Sequence, residues 1–222
     1  VKYWGKAPRP GNVPASPSLS ITLDGLTTTT TVTVTGREDA VYLDDQPVID
    51  AKITACLDNL RRRFDIPPLE VRTSNDFPTA AGLASSASGF AALVTAVDAA
   101  CTLGLAAAAR SDLARQASAS AARSVFGGFV VLDEPEWQGR PLLGGDAWPL
   151  RVVVAVTSDA AKTVSSSEGM RASAASPYFP GWVDSTREDF AAARFAVLEQ
   201  DFERLADVAE HSCLKMHGLM LA

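Results

Sequence analysis

Apolar residues recur every three or four positions along much of the chain, and this spacing predicts amphipathic helices. The predicted helices run from Val48 to Leu60, from Phe90 to Cys101, from Asp184 to Gln200 and from Phe202 to Met216. Another helix is predicted to begin at Ser111-Asp112, because serine and aspartate side chains cap helix N-termini. Helices are therefore expected in both halves of the chain.

Stretches rich in β-branched residues separate these helices and predict strands. The predicted strands are Ser18 to Leu23, Thr27 to Thr35, Val41 to Leu43, Leu69 to Ser74, Phe129 to Leu132 and Arg151 to Thr157. The first two flank Asp24-Gly25 and so predict a hairpin. The near-continuous valines of the last predict a strand that is buried on both faces. We expect an α+β fold in two units.

Residues 133–147 are rich in Asp, Glu, Pro and Gly, a composition that is typical of a surface connection. A chain of 222 residues is long enough for one large domain or two small ones. We therefore predict one domain over residues 1–147 and a second over residues 148–222.

Charge and hydropathy narrow the range of partners. The net charge is -6 and the isoelectric point is about 4.9, which argues against a nucleic-acid partner or an anionic membrane surface. No apolar run reaches the roughly 20 residues that a membrane span needs. A local basic pocket remains compatible with this balance, and an anionic substrate would require one.

The number and spacing of the cysteines indicate the redox environment in which the protein is expected to function. Cys56, Cys101 and Cys213 are odd in number and far apart, which is typical of reduced thiols in an intracellular protein and not of a disulfide framework or a zinc site. The first residues, Val1 to Lys6, do not resemble a signal peptide. We expect a cytoplasmic protein.

A run of small residues from Phe77 to Gly89 lies between a predicted strand and a predicted helix. Ser85, Ser86 and Ser88 place hydroxyls at a helix N-terminus, where unpaired N–H groups and the helix dipole favour an anion. The pattern fits a phosphate cradle, and equally a helix that packs closely through alanines with serines as caps. The Gly-Lys-Ser/Thr ending of a Walker loop is absent.

Two further groups of residues could bind an anion. Ser118 and Ser120 precede Arg123, and together they could grip a phosphate or carboxylate, or they could belong to a small-residue helix with a structural ion pair. Lys2 and Lys6 could form a cationic lip, or they could protect an edge strand. His211 and His217 lack further ligands at metal spacing and are expected to be ordinary helix residues.

Four motifs, in order, resemble those of the diphosphomevalonate decarboxylases within the GHMP small-molecule kinases. They are Lys2-Tyr3-Trp4-Gly5-Lys6, the segment from Asn75 to Phe90 with Pro78-Thr79-Ala80-Ala81-Gly82-Leu83-Ala84-Ser85-Ser86, the segment from Ser118 to Gly128 with Arg123, and the segment from Ser165 to Met170. The resemblance covers nearly the whole chain. It implies an N-terminal domain of the ribosomal S5 domain 2 type and a ferredoxin-like C-terminal domain that is only partly present.

The resemblance also implies a reaction and its partners. The family phosphorylates the tertiary 3-hydroxyl of (R)-5-diphosphomevalonate with ATP and Mg2+, and loss of phosphate and CO2 gives isopentenyl diphosphate in the mevalonate pathway. The family further suggests a homodimer. Related alternatives are a mevalonate-type kinase that stops at a phosphate ester, a decarboxylase that acts on a monophosphate, and a non-catalytic binding or dimerisation module.

By matched position, the resemblance implies three groups of site residues. The nucleotide would be held by Ala81, Gly82, Leu83, Ala84, Ser85 and Ser86. The substrate would be held by Tyr3, Lys6, Asn12, Ser118, Ser120, Arg123 and Ser166. The residues implied to act in catalysis are Lys2, Ser86 and Arg123. Neither the resemblance nor the residues identify a protein ligand for the metal.

The chain departs from the family pattern in two ways. Where the family usually reads Gly-Ser-Gly-Ser-Ala-Cys-Arg, residues 117–123 read Ala-Ser-Ala-Ser-Ala-Ala-Arg, which raises the question of whether either alanine must adopt a positive φ. The family also carries a catalytic aspartate in an Asp-Ala-Gly-Pro-Asn motif downstream of the position of Ala222, and a strand's worth of chain before Lys2. We therefore expect a portion of a longer protein; the present residues alone would be very weakly active.

Overall fold

The computed structural model describes residues 1–78, 84–156 and 163–221. In these ranges the strands are β1 Ser18–Ile21, β2 Thr28–Val34, β3 Ala40–Leu43, β4 Gln46–Pro47, β5 Leu69–Asn75, β6 Phe129–Leu132 and β7 Gly139–Leu143. The helices are α1 Ala51–Arg61, α2 Ser85–Ala100, α3 Ala107–Ala117, α4 Ala121–Ser124, α5 Ser166–Ala174, α6 Phe179–Leu198 and α7 Phe202–Leu221. The predicted α+β class is confirmed.

The contacts divide the chain into two compact units. The first contains Val1–Thr22, Phe126–Val154 and the three C-terminal helices, and the second consists mainly of Leu23–Val125. These units are defined by contacts and do not test the domain boundary predicted between residues 147 and 148, which stays a prediction.

The second unit is a four-stranded sheet with helices packed on it. Its strands lie in the order β2-β5-β3-β4; β2 and β5 are antiparallel, and β3 and β5 are parallel. Leu69 and Val71 of β5 are buried against α1, α2 and α3. Each helix contributes apolar residues at helical spacing, such as Leu57, Val94 and Leu113, and this spacing is why these segments fold as helices on a sheet.

The first unit is built on the antiparallel sheet β1-β6-β7. Its core contains Leu19 of β1, Phe129 and Val131 of β6, and Phe190 and Val197 of α6. β6 is fully buried, which fits its unbroken Phe-Val-Val-Leu sequence. The helix prediction for residues 184–200 is confirmed within α6, which begins earlier, at Phe179.

The predicted hairpin across Asp24-Gly25 is wrong. β1 pairs with β6, and β2 pairs with β5, so the two strands lie in different sheets. A turn signal is local, whereas strand partners are decided by burial of side chains that lie far apart in the sequence. The Asp-Gly turn therefore connects two units and not two neighbouring strands.

The predicted valine strand is wrong over its described part, residues 151–156. These residues form no strand, and Val153 is 93% exposed and Val156 62% exposed. A strand needs a neighbour to satisfy its backbone groups, and none of the described strands pairs with this segment. Thr157 lies outside the described residues.

The helix that was predicted to begin at Ser111-Asp112 begins earlier. α3 starts at Ala107, and Ser111 lies inside it, buried, with its hydroxyl donating to the carbonyl of Ala122 at 2.8 Å. Asp112 instead accepts hydrogen bonds from Arg115 and Gln116. Serine and aspartate are therefore not capping residues here, because both lie inside α3, where Ser111 contacts the carbonyl of Ala122 and Asp112 contacts side chains on the next turn of the same helix.

Candidate active site

The predicted nucleotide loop is described only in part. Thr79 to Leu83, and with them Ala81, Gly82 and Leu83, lie outside the described residues. Ala84 adopts a left-handed conformation with φ 59°, and α2 begins at Ser85 without a capping side chain. No acidic residue lies in the first turn of α2. The N-terminus of this 16-residue helix thus carries no negative side chain that would compete with an anion.

The serines at the start of α2 have different surroundings. Ser88 donates to the carbonyl of Ser85 and shares a 2.7 Å hydrogen bond with Thr28 of β2, so this side chain ties the helix to the sheet. Thr28 also bonds Asn75 at 2.6 Å. Ser88 therefore has the structural role of anchoring α2, and Ser85 and Ser86 are the residues whose backbone forms the first turn.

A second group of predicted residues lies at the end of α3 and in the short helix α4. α3 ends at Ala117, Ser118 follows in an extended conformation, and the short α4 carries Arg123, which is only 8% exposed. The hydroxyls of Ser118 and Ser120 lie 3.4 Å apart. These residue types are chemically suited to grip a phosphate or a carboxylate, since arginine offers a planar fork of donors and serine a hydroxyl.

The two alanines that replace family glycines are compatible with this backbone. Among the described residues, Ala117 and Ala119 are absent from those with positive φ, and Ala119 is 2% exposed. Ala121 and Ala122 are fully buried. The segment therefore needs small side chains for close packing and does not need the conformational freedom of glycine.

The first unit holds the other predicted site residues. Lys6 donates from Nζ to Oδ1 of Asn12 at 2.6 Å, so the structure brings together two residues that the resemblance assigns to substrate binding. The backbone N–H of Lys2 donates to Ser212 of α7 at 3.1 Å, and the hydroxyl of Tyr3 is buried. The Lys2 contact ties the start of the chain to α7.

Trp4 and Gly5 position this N-terminal segment, and the sequence reading assigned no individual role to either. Nε1 of Trp4 donates to Ser173 of α5 at 3.0 Å, and Gly169 lies under the indole so closely that a Cβ there would be 3.1 Å away. Gly5 has φ 98°, and a Cβ would meet the ring of Phe179 at 2.6 Å. In the sequence, the only indication of these positioning roles is that Gly5 follows directly after two aromatic residues.

Ser166 opens α5, which is capped by its neighbour. The hydroxyl of Ser165 accepts from the backbone N–H of Glu168, and the Glu168 carboxylate accepts from the backbone N–H of Ser165. The same serine hydroxyl donates to this carboxylate at 2.6 Å, and these bonds lower the pKa of Glu168. The capping function is therefore filled by Ser165, and Ser166 lies exposed on the first turn.

The described ranges contain neither a metal-ligand cluster nor a helix suited to span a membrane. No three His, Cys, Asp or Glu side chains there lie close enough together to hold a metal ion. No described helix combines the length and the apolar character of a membrane span. Cys213 Sγ lies 3.9 Å from His217 Nε2 on α7, and all three cysteines are free thiols.

Two family models together match nearly the whole chain. Residues 1–139 match the diphosphomevalonate decarboxylase-like N-terminal domain, and residues 152–222 match the mevalonate 5-diphosphate decarboxylase C-terminal domain. The diphosphomevalonate decarboxylase of Candida albicans is 33% identical over 100% of this chain and 68% of the relative, and the human enzyme is 36% identical over 100% and 62%.

Similar solved structures come from the same family as the sequence relatives. Mevalonate diphosphate decarboxylase from Enterococcus faecalis matches with a TM-score of 0.85 and 34% identity, over 98% of this chain and 70% of that one. The Staphylococcus aureus protein gives a TM-score of 0.84 and 33% identity with the same coverage. The chain spans between 62% and 68% of the length of the two curated relatives named above. It belongs to the diphosphomevalonate decarboxylase family.

Proposed function

We propose that the protein to which this chain belongs is an ATP-dependent decarboxylase that converts (R)-5-diphosphomevalonate to isopentenyl diphosphate in the mevalonate pathway. The observation that carries the proposal is the family match over residues 1–139 and 152–222. It is supported by a structural neighbour, "MDDEF in complex with MVAPP, AMPPCP and Magnesium", with a TM-score of 0.86 and 35% identity. ATP and Mg2+ are the cofactors of this reaction.

The chemistry explains why ATP is needed. A tertiary hydroxyl is a poor leaving group, so ATP first transfers its terminal phosphoryl group to the 3-hydroxyl oxygen and ADP is released. The original bond between C3 and this oxygen then breaks, and phosphate leaves with the electron pair. The bond to the carboxylate breaks next, CO2 is released, and its electron pair forms the double bond of isopentenyl diphosphate.

Arg123 is proposed to hold the carboxylate that becomes CO2, and Ser118 and Ser120 the diphosphate of the substrate. Burial of the guanidinium supports this role, because a charge-assisted hydrogen bond is stronger away from water. A substrate held at both ends has its hydroxyl aligned for attack, and alignment contributes up to roughly 10 kcal/mol to catalysis. This cluster lies within the second unit.

We also propose that the substrate is contacted by Tyr3, Lys6, Asn12 and Ser166. Lys2 is proposed to stabilise the charge of the transferring phosphoryl group. The Lys6–Asn12 hydrogen bond supports a shared role for this pair, since it already holds the ammonium group in one direction.

Residues from Ala81 to Ser86 are proposed to hold the triphosphate, with Ser86 at the reacting end. When bound, Mg2+ would neutralise part of the negative charge of the triphosphate. Mg2+ keeps several waters and takes few protein ligands when phosphates are present. A helix N-terminus with hydroxyls and without carboxylates in its first turn fits a metal ion that is carried by the nucleotide.

We also propose that the protein is a cytoplasmic homodimer and that its domain boundary lies between residues 147 and 148.

The test uses the full gene product with ATP and substrate labelled at the carboxyl carbon. The proposal predicts equal amounts of ADP, phosphate and labelled CO2. ADP formation with a stable phosphate ester and no CO2 would identify a kinase instead, and the mass of the product would show it.

A further inference from the structure

The hydroxyl of Thr28 joins three elements of the second unit. Thr28 is the first residue of β2, and its Oγ1 lies 2.6 Å from Oδ1 of Asn75, the last residue of β5. The same oxygen lies 2.7 Å from the hydroxyl oxygen of Ser88, which is in the first turn of α2. A hydroxyl has one proton and two lone pairs, so it can take part in both bonds. One side chain therefore links two strands to the start of a helix.

The strand end to which Thr28 bonds is itself held in place by the preceding residue. The backbone N–H and the hydroxyl of Thr27 both donate to the carboxylate of Asp76, at 2.5 and 2.9 Å. The N–H of Asp76 donates in turn to the carbonyl of Thr27 at 3.1 Å. Asp76 directly follows β5, so these bonds hold the end of β5 against the start of β2. Thr28, as the next residue, has a defined position beside this strand end.

The helix end receives the bond from Thr28 close to its first residue. Ser88 also donates to the carbonyl of Ser85 at 3.3 Å, so its side chain connects Thr28 to the residue at which α2 begins. Ala87 and Phe90 are buried, and this turn of the helix therefore lies against the core. Since α2 begins without a capping side chain, the position of its first turn depends on packing and on contacts such as the bond between Thr28 and Ser88.

We propose that Thr28 is a positioning residue for nucleotide binding, whose hydroxyl sets where the first turn of α2 lies relative to the end of β5. The inference rests on the proposed role of Ser85 and Ser86 in holding the triphosphate of ATP. The N–H groups at a helix N-terminus bind an anion because they point at it. A displacement of about 1 Å far from the reacting atoms can lower a rate on the order of 100-fold. Thr28 acts through α2 in this proposal and does not itself contact the nucleotide.

The test removes the bond from each side in the full gene product. Thr28→Val deletes the hydroxyl and keeps a β-branched side chain, and it should raise KM for ATP about tenfold while KM for diphosphomevalonate stays near the wild-type value. Ser88→Ala removes the same bond from the helix and should have the same effect. The double variant should be no worse than either single variant, because both changes remove one shared bond. Thr28→Ser keeps the hydroxyl and should retain the wild-type KM for ATP.

Thr30 provides a matched control on the same strand. It is half-buried, as Thr28 is, and its hydroxyl lies 2.9 Å from that of its cross-strand partner Thr73. This bond joins β2 to β5 and does not involve α2. Thr30→Val should therefore lower the melting temperature, as Thr28→Val does, and leave KM for ATP unchanged.

Binding of a fluorescent ATP analogue, measured beside turnover, separates this inference from the proposed function. If the wild type binds the analogue and neither Thr28→Val nor Ser88→Ala weakens binding or raises KM for ATP, the positioning role is wrong and the proposed function stands. A KM for ATP that rises equally in Thr30→Val would also overturn the positioning role, because the cause would then be a general loosening of the sheet. If Thr28→Val does not fold, Ser88→Ala decides the question. A wild type that does not bind the analogue would overturn both proposals.

Discussion

At the scale of single residues, Arg123 gives the sharpest test of the proposed chemistry. Arg123→Ala should lower kcat/KM by about 100-fold or more, because a buried cation that neutralises the departing carboxylate would be lost. Steady-state rates with coupled ADP and CO2 detection would measure this. Arg63→Ala makes the same change at a half-exposed arginine near the end of α1 and should have no such effect. Near-normal turnover of Arg123→Ala would remove this residue from the mechanism.

The ion pair between Asp39 and Arg61 predicts a pH-dependent contribution to stability. Two guanidinium nitrogens lie 2.6 and 2.7 Å from the carboxylate, and Leu69 N–H donates at 2.9 Å. These contacts hold the pKa of Asp39 below its usual 3.8. A lowered folded-state pKa stabilises the fold above the unfolded-state pKa, and the contribution is lost as pH falls through the folded-state value.

Asp39→Asn keeps an acceptor for Leu69 and removes the charge. We expect it to lower the free energy of unfolding by about 1 kcal/mol at neutral pH. Urea titrations at neutral pH and in acid would measure the difference between wild type and variant, which should shrink once the wild-type carboxylate is protonated. A difference that stays constant with pH would mean that the ion pair is not its source.

Some of the residues proposed for the site could be identified from the sequence, and others could not. Ser118, Ser120 and Arg123 lie within six residues of each other, and the structure joins the two hydroxyls, so a local motif was sufficient to find them. The left-handed Ala84 was not foreseeable, because no residue type in the loop demands that conformation. The Lys6–Asn12 pair was reached through the family resemblance and not from spacing.

At the scale of elements, the start of α5 separates a structural serine from a proposed functional one. Ser165 accepts the capping hydrogen bond, whereas Ser166 lies exposed on the first turn. Ser165→Ala should therefore destabilise the protein by about 1 kcal/mol, the usual value of an N-cap. Ser166→Ala should leave the melting temperature unchanged and raise KM for diphosphomevalonate. If neither variant raises KM, Ser166 does not contact the substrate.

Elements were predicted better than their partners. The strand in Leu69 to Ser74 and the helix in Phe90 to Cys101 follow from local composition and period. β5 matches the predicted strand within one residue, whereas α2 begins at Ser85, five residues before the predicted start. Pairing of β1 with β6 joins residues more than a hundred positions apart, and no local pattern encodes that choice. The exposed valines at residues 152–156 show the same limit, because hydrophobicity predicts burial but does not identify a neighbour.

At the scale of the whole molecule, the chain is not divided into two consecutive halves. The first unit draws residues from both ends, as the hydrogen bonds from Lys2 to Ser212 and from Trp4 to Ser173 show. A composition shift can locate a connection such as residues 133–147, yet it cannot show that an N-terminal segment packs with C-terminal helices. Contacts of this kind depend on packing between segments that lie far apart in the sequence, and local sequence patterns do not predict such packing.

The cysteines allow each unit to be followed separately. Burial raises the pKa of Cys56 in the second unit to about 12, and it also raises the pKa of Cys101. Since the thiolate is the nucleophile, only about one in 10⁴ Cys56 side chains would be reactive near pH 8. Cys213 in the first unit is half-buried, so its thiol is more accessible than that of the buried Cys56. Iodoacetamide should therefore alkylate Cys213 first.

Mass spectrometry of alkylated peptides at increasing urea concentration would test this order. Cys213 should react in the native protein, and Cys56 only when the second unit unfolds, because the core around α1 must open to expose the thiol. Native-state alkylation of Cys56 at the rate of Cys213 would contradict the burial on which the order depends.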